Sequence, residues 1–305
     1  MPSSDMYQYV QGRSGSGAPQ FFEEVLVPQL SKREHTATLV GDVLVVPGAD
    51  GNRLGTHLLH TPSLTWHAPL FEGMLGQAPK VAWGHAAALL PGRKAIAVFG
   101  GVVPAETLPG ARSKPIRLSR ELRVLQLRLP GPDDHNADTA CWPQPEGWLL
   151  QRDRAAPSGA AGQGAAAAAS ASRVPRCAHT LTALPRRFKW NETGLAEGAV
   201  LLFGGQDHTG AVRNDARLLH PTDCYWVDLN PSGSPPPPRA GHAAACGGEG
   251  DGPDGGHGCA APVTLVVFGG YGAPTGVGSS RTAAPLYNDV HVLALDGWAS
   301  GACRW

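Results

Sequence analysis

The chain has 305 residues, with 25 basic and 25 acidic side chains and a formal net charge of zero. That balance leaves no broad electrostatic footprint for nucleic acid or an anionic membrane. Charged residues make up only 16%, whereas there are 40 glycines and 28 prolines, a composition of many short strands joined by turns with some low-complexity insertion.

Residues 1–32 read as an N-terminal leader. Gln11 to Gln20 is Gly/Ser-rich, and Phe21 to Val27 forms an extra strand or a short helix. Met1 to Gly17 lacks the continuous apolar region of a secretory signal. Nowhere does the chain approach the roughly 18 apolar residues of a spanning helix.

From residue 33 onward one phrase returns, and internal repetition decides the fold before any local propensity does. Its first copy, about 33–66, runs from Arg33-Glu34-His35 to Val45-Val46-Pro47-Gly48. Thr36 to Val46 alternates and then becomes continuously apolar, as a buried strand does. A turn at Asp50-Gly51-Asn52 and a strand ending at Trp66 complete it.

The second copy, about 83–142, opens on Trp83-Gly84-His85 and reaches Ala97-Val98-Phe99-Gly100-Gly101. A Pro/Arg-rich loop from Val102 to Leu118 follows. Leu122 to Leu127 alternates as a half-buried strand, and Trp142 is expected to close the copy. Residues 151–172 are an Ala/Gly/Ser-rich insertion without an apolar face, expected to be disordered.

The third copy, about 173–229, pairs Pro175-Arg176-Cys177-Ala178-His179 with Leu201-Leu202-Phe203-Gly204-Gly205 and ends near Trp226. Pro235 to Pro238 has the form of a ligand for a proline-reading domain. It is better read as a stiff spacer delivering Arg239 into the next strand. The fourth copy, about 239–305, is the most regular: Arg239-Ala240-Gly241-His242, then Val266-Val267-Phe268-Gly269-Gly270, then Asn288-Asp289-Val290.

The Arg-x-Gly-His opening, the apolar strand ending in Phe-Gly-Gly, the Asn-Asp-Val run and the late tryptophan resemble the kelch repeat over roughly 33–305. The second copy departs from it at Ala82, where Arg176 and Arg239 stand in the third and fourth; the first lacks the glycine pair. The resemblance implies an all-β fold: a kelch-type β-propeller of four-stranded antiparallel blades, incomplete or open, with disordered insertions. The physics agrees, because one four-stranded sheet leaves both faces bare and radial stacking buries them. Kelch propellers usually exceed four blades, so the chain is expected to be a fragment of a longer protein or a short, open propeller.

Chemistry-bearing clusters are sparse. The six cysteines form no C-x-x-C pair and read as reduced thiols. His35, His85, His179 and His242 recur at equivalent places, so they are expected inside separate blade interfaces as packed, hydrogen-bonded side chains rather than as metal ligands. Cys246, His257 and Cys259, with Asp251 or Asp254, match no common zinc spacing. The glycine clusters lead into no helix and are not phosphate loops. No nucleophile elbow or H-E-x-x-H appears. No cofactor and no metal are expected.

These readings point to a non-catalytic protein-interaction scaffold. Its partner-binding residues are expected in the loops after the glycine pairs: Arg53, Arg112, Lys114, Asp207, His208, Arg213, Tyr271 and Arg281, within a face that also includes Asp50, Asn52, Glu106 and Gln206. The partner is expected to be a protein, with no nucleic acid and no membrane, in the cytoplasm or in a large cytoskeletal or ciliary assembly. The alternative is part of an enzyme: the regulatory kelch half of a longer catalytic chain, or a metal-dependent propeller.

Overall fold

A computed structural model describes residues 7–8, 23–24, 35–50, 53–67, 76–81, 83–103, 117–128, 144–152, 154, 174–189, 197–247, 263–274, 283–295 and 303–305. The chain divides into two compact units, Met1–Arg33 and Glu34–Trp305. In the first, β1 (Tyr7–Gln8) pairs antiparallel with β2 (Glu23–Glu24), so the described part of Phe21 to Val27 is strand. No helix among the described residues is long and apolar enough to cross a membrane.

Among the described residues the second unit holds four antiparallel sheets. The first orders β3 (Thr38–Val40), β4 (Val43–Asp50), β5 (Arg53–His60) and β6 (Thr65–His67) side by side. The second orders β7 (Trp83–Leu89), β8 (Ala95–Val103), β10 (Leu122–Arg128) and β11 (Gln144–Gln151), with the short β9 (Arg117–Leu118) on the far end of β8. In the third, β12 (Arg176–Cys177) and β13 (Thr180–Lys189) share one edge of β14 (Glu197–Asp207), followed by β15 (Val212–Leu219) and β16 (Trp226–Leu229). The fourth orders β17 (Ala243–Gly247), β18 (Val263–Phe268), β19 (Val290–Leu295) and β20 (Cys303–Arg304). The sheets are the blades of a four-bladed β-propeller.

Strand side chains alternate between faces, so each blade presents two apolar rows. One row reads Leu39–Leu44–Leu59–Trp66 in the first blade and Leu89–Ile96–Leu125–Trp148 in the second. In the third it reads Ala183–Val200–Leu219–Trp226, and Cys246–Leu265–Leu293 begins it in the fourth. The opposite row carries Phe99 beside Leu122, Phe203 beside Ala216, and Phe268 beside Val290. The tryptophan of the second blade is therefore Trp148; Trp142 lies outside the described residues.

Three hydrophobic cores follow. Val43, Val45 and Leu58 of the first blade meet Ile96, Val98, Leu125 and Trp148 of the second. Ala97, Phe99 and Leu122 of the second meet Val200, Leu202, Leu219 and Trp226 of the third. Leu201, Phe203 and Leu218 of the third meet Leu265, Val267 and Leu293 of the fourth. Each buried Leu, Val or Phe contributes about 1.5–3 kcal/mol, so inter-blade packing is the main adhesive. Among the described residues no such cluster joins the fourth blade to the first.

Candidate functional site

The repeated phrase is the hardware of the blade boundary. Phe99 packs edge-on against His179 with ring centroids 5.4 Å apart, and Phe203 against His242 at 5.2 Å. The same phenylalanines lie against Trp226 and Trp305 at 5.3 and 5.2 Å. Each Phe thus touches the histidine and the closing tryptophan of the next blade. Both glycines that follow must be glycine. Gly204 has φ +60°, and a Cβ there would fall 2.7 Å from the Arg239 carbonyl oxygen; at Gly205 it would fall 2.7 Å from the His179 Cβ.

The opening arginines of the third and fourth blades each tie their own blade together. The buried Arg176 guanidinium donates to both carboxylate oxygens of Asp215 (3.0 and 2.9 Å) and to the Gly204 carbonyl (2.9 Å). Arg239 repeats this forked, charge-assisted arrangement with Asp289 (2.7 and 3.0 Å) and the Gly269 carbonyl (2.9 Å), against the Tyr287 ring at 4.6 Å. Its backbone N–H donates to the Arg213 carbonyl, and Asn214 Nδ2 donates to the Pro236 carbonyl. The proline run therefore lies along the third blade and hands Arg239 to the fourth, as a stiff spacer should.

These pairs anchor a loop face. Arg213 bridges Asp207 at 2.9 Å and Asp215 at 3.4 Å. Asp207 Oδ1 accepts from the Thr209 amide, the Thr209 hydroxyl and the Ala211 amide, a self-closed turn that holds residues 208–211 out to solvent. Burial would raise the Asp207 pKa, but the bonds from Thr209, Arg213 and Ala211 outweigh it and hold the carboxyl at about 2. On the fourth blade, Tyr271 exchanges backbone hydrogen bonds with Ala240 and bridges to Leu286, whose side chain is almost fully exposed. Asp289 also accepts from His291 Nε2 at 2.9 Å; its bonds with Arg239 hold it far below the usual carboxylate range.

Of the residues expected to contact a partner, His208 is exposed at the hairpin tip and Tyr271 is half-buried beside Leu286. Asp207 and Arg213 are spent on holding that hairpin, a role that burial, not spacing, reveals. The Arg53 side chain and Arg112, Lys114 and Arg281 lie outside the described residues, as do His257 and Cys259. Leu286 belongs to this face although no charge or repeat position marks it in the sequence. Among the described residues no group of three or more His, Cys, Asp or Glu side chains is placed to hold a metal ion.

His85 and His242 sit in blade boundaries, their pKa values lowered to about 4 by burial first, and for His242 by the nearby Arg239 next. His179 is lowered well below its ordinary value by burial and then by Arg176. All three are neutral packing elements at neutral pH.

No family model matches the sequence. Among curated proteins, the chain is similar to acyl-CoA-binding domain-containing protein 5 of Arabidopsis thaliana, 33% identical over 97 residues, which is 32% of this chain and 11% of that protein. The chain thus spans only about a tenth of the length of the curated relative it matches. Among solved structures it is similar to YjhT, with a TM-score of 0.50 at 13% identity, over 94% of this chain and 74% of the other. At that identity the likeness speaks to the fold alone, and together with the four stacked sheets it makes this chain a β-propeller.

Proposed function

We propose that this chain is a kelch-type propeller acting as a non-catalytic protein-interaction module, with the loops after the glycine pairs of the third and fourth blades as its contact face. The supporting observation is the Asp207–Arg213–Asp215–Arg176 chain of ion pairs, which fixes an exposed hairpin whose tip is otherwise free to meet a partner. A rigid ring that presents loops is suited to recognition, since the entropy of ordering them is already lost on folding. The carboxylates of this face are paired with arginine and held ionised, which suits them to scaffolding better than to proton transfer. Tyr271, His208 and the exposed Leu286 supply an aromatic, a polar and an apolar anchor. A place in a cytoplasmic, cytoskeletal or ciliary assembly rests on the kelch resemblance.

The test is affinity capture with cross-linking and mass spectrometry from native extract, using the wild-type chain and a His208→Glu/Leu286→Asp variant. Both substitutions are at exposed positions, and circular dichroism of the variant is expected to match the wild type. Loss of captured partners from the variant supports the face. Equal recovery of the same partners by both proteins removes it.

A further inference from the structure

The boundaries between the second and third blades and between the third and fourth share one stereochemistry, and the first and fourth blades each expose an unmatched half of it. Phe99 and Phe203 are buried against the histidine and tryptophan of a following blade. Phe268 holds the same place, opposite Ala243 on one side and Val290 on the other, yet its side chain is 51% exposed. Around it Ala245, Val266 and Val292 form a second cross-strand row of the same face, with no charged side chain in either row. Gly269 repeats the asymmetry: a Cβ at Gly204 would strike the next blade, whereas at Gly269 its nearest neighbour is the Tyr287 carbonyl of its own blade, at 3.3 Å.

The first blade leaves the receiving half partly open: Leu44 and Trp66 are half-buried, and Leu59 is 9% exposed. Leu39, Leu44, Leu59 and Trp66 form the row that in the third blade, as Ala183, Val200, Leu219 and Trp226, accepts Phe99. Leu39 is 54% exposed, and His35, the counterpart of His179 and His242, is exposed as well. Apolar sheet faces of this kind are rarely left bare.

We propose that the Phe268 face of the fourth blade docks on the Leu39–Trp66 row of a second copy of this chain, reproducing between copies the contact that Phe99 and Phe203 each make within one. The occupant is a second copy because this chain itself carries both complementary halves, in the same register as its internal interfaces. Such a head-to-tail contact closes a ring if the rotation permits and otherwise extends. It is separate from the loop face, so either can fail without the other.

Sedimentation velocity of the full 305-residue chain over a concentration series tests this. The wild type is expected to self-associate. Phe268→Asp and Leu39→Asp, both at exposed positions, are each expected to weaken association by more than about tenfold, the loss typical of a central interface anchor, with unchanged circular dichroism. Mixing the two variants leaves one intact pairing, Phe268 of one with Leu39 of the other, and is expected to restore a species of two chains and nothing larger. A wild type that stays monomeric at all concentrations, variants that associate as well as the wild type, or a mixture that stays monomeric each overturn the proposal.

Discussion

Thr180 places its hydroxyl oxygen 3.0 Å from Nε2 of His242, across the boundary between the third and fourth blades. Thr36 does the same to His85, at 3.3 Å, between the first and second. At the remaining boundary the equivalent residue is Ala86, and neither ring nitrogen of His179 has a hydrogen-bond partner among the described residues. A buried imidazole without a partner is costly. Ala86→Thr restores the missing hydroxyl in a strand position that suits a β-branched side chain. It is expected to raise stability by about 1 kcal/mol, read as a higher urea midpoint with an unchanged slope. Thr180→Ala should lower stability by a similar amount. A destabilised Ala86→Thr protein would show that the Thr–His pairing is not what the boundary lacks.

The same histidines set the response to acid. Their pKa values are depressed by burial, so the folded state binds fewer protons than the unfolded state between about pH 6.5 and 4. Stability is fully present above pH 6.5 and falls as pH drops through this window, by up to about 1.4 kcal/mol per pH unit for each histidine. The carboxylates act later. Asp207, held at about 2, and Asp289, lower still, stabilise the fold above their unfolded pKa of 3.8 and lose that contribution only as pH falls below it. Urea midpoints at pH 7.5, 5.5 and 4.5 should therefore decline before the Asp207 and Asp289 carboxylates titrate. A midpoint flat down to pH 4.5 would mean that the imidazoles are hydrated.

Two ion pairs of the chain predict opposite outcomes. Arg239 is completely buried, and its fork is filled by Asp289, whose carboxylate is about one-third open to solvent. Asp289→Asn leaves a buried cation half-satisfied and is expected to cost about 2 kcal/mol, below the range for a fully enclosed pair. Arg154 and Asp223 lie 3.6 Å apart with both side chains at least half exposed. Arg154→Ala should change stability by less than about 0.5 kcal/mol. Thermal denaturation of both variants reads the contrast directly, and equal effects would contradict it.

The residues whose geometry is dictated by backbone or ring contact are legible in sequence, because few side chains can replace them. Arg176, His179, Phe203 and the glycine pair are of this kind. Position along a strand is less legible. Thr36 donates its amide to the Pro47 carbonyl, in the place where Thr180 pairs with Phe203. Pro47-Gly48-Ala49 thus stands where the other copies have Phe-Gly-Gly, and only the register shows it. Trp142 and Trp148 are both aromatics at a plausible distance, and cross-strand pairing with Leu125 selects Trp148. Asp207 reads as a surface contact because charge in a loop is ordinarily solvated. Three of the four bonds its carboxylate accepts depend on how residues 209–211 fold back, which composition does not encode.

Glycine substitutions separate backbone strain from crowding at the blade boundary. Gly41 has φ +59° and open space within 4 Å of where a methyl would stand. Gly41→Ala therefore meets only the left-handed penalty, about 1–2 kcal/mol. Gly204 has the same φ range, and its added methyl would also press on the Arg239 carbonyl and the His242 ring. Gly204→Ala is expected to cost about 1–3 kcal/mol more. Gly269 is its counterpart on the open face, where the methyl meets only the Tyr287 carbonyl, at 3.3 Å. Gly269→Ala in the monomer should therefore resemble Gly41→Ala rather than Gly204→Ala. Denaturant midpoints measured at low protein concentration give the order Gly204 well below Gly269 and Gly41. If Gly269→Ala were as damaging as Gly204→Ala at that concentration, the fourth blade's outer face would already be covered within a single chain.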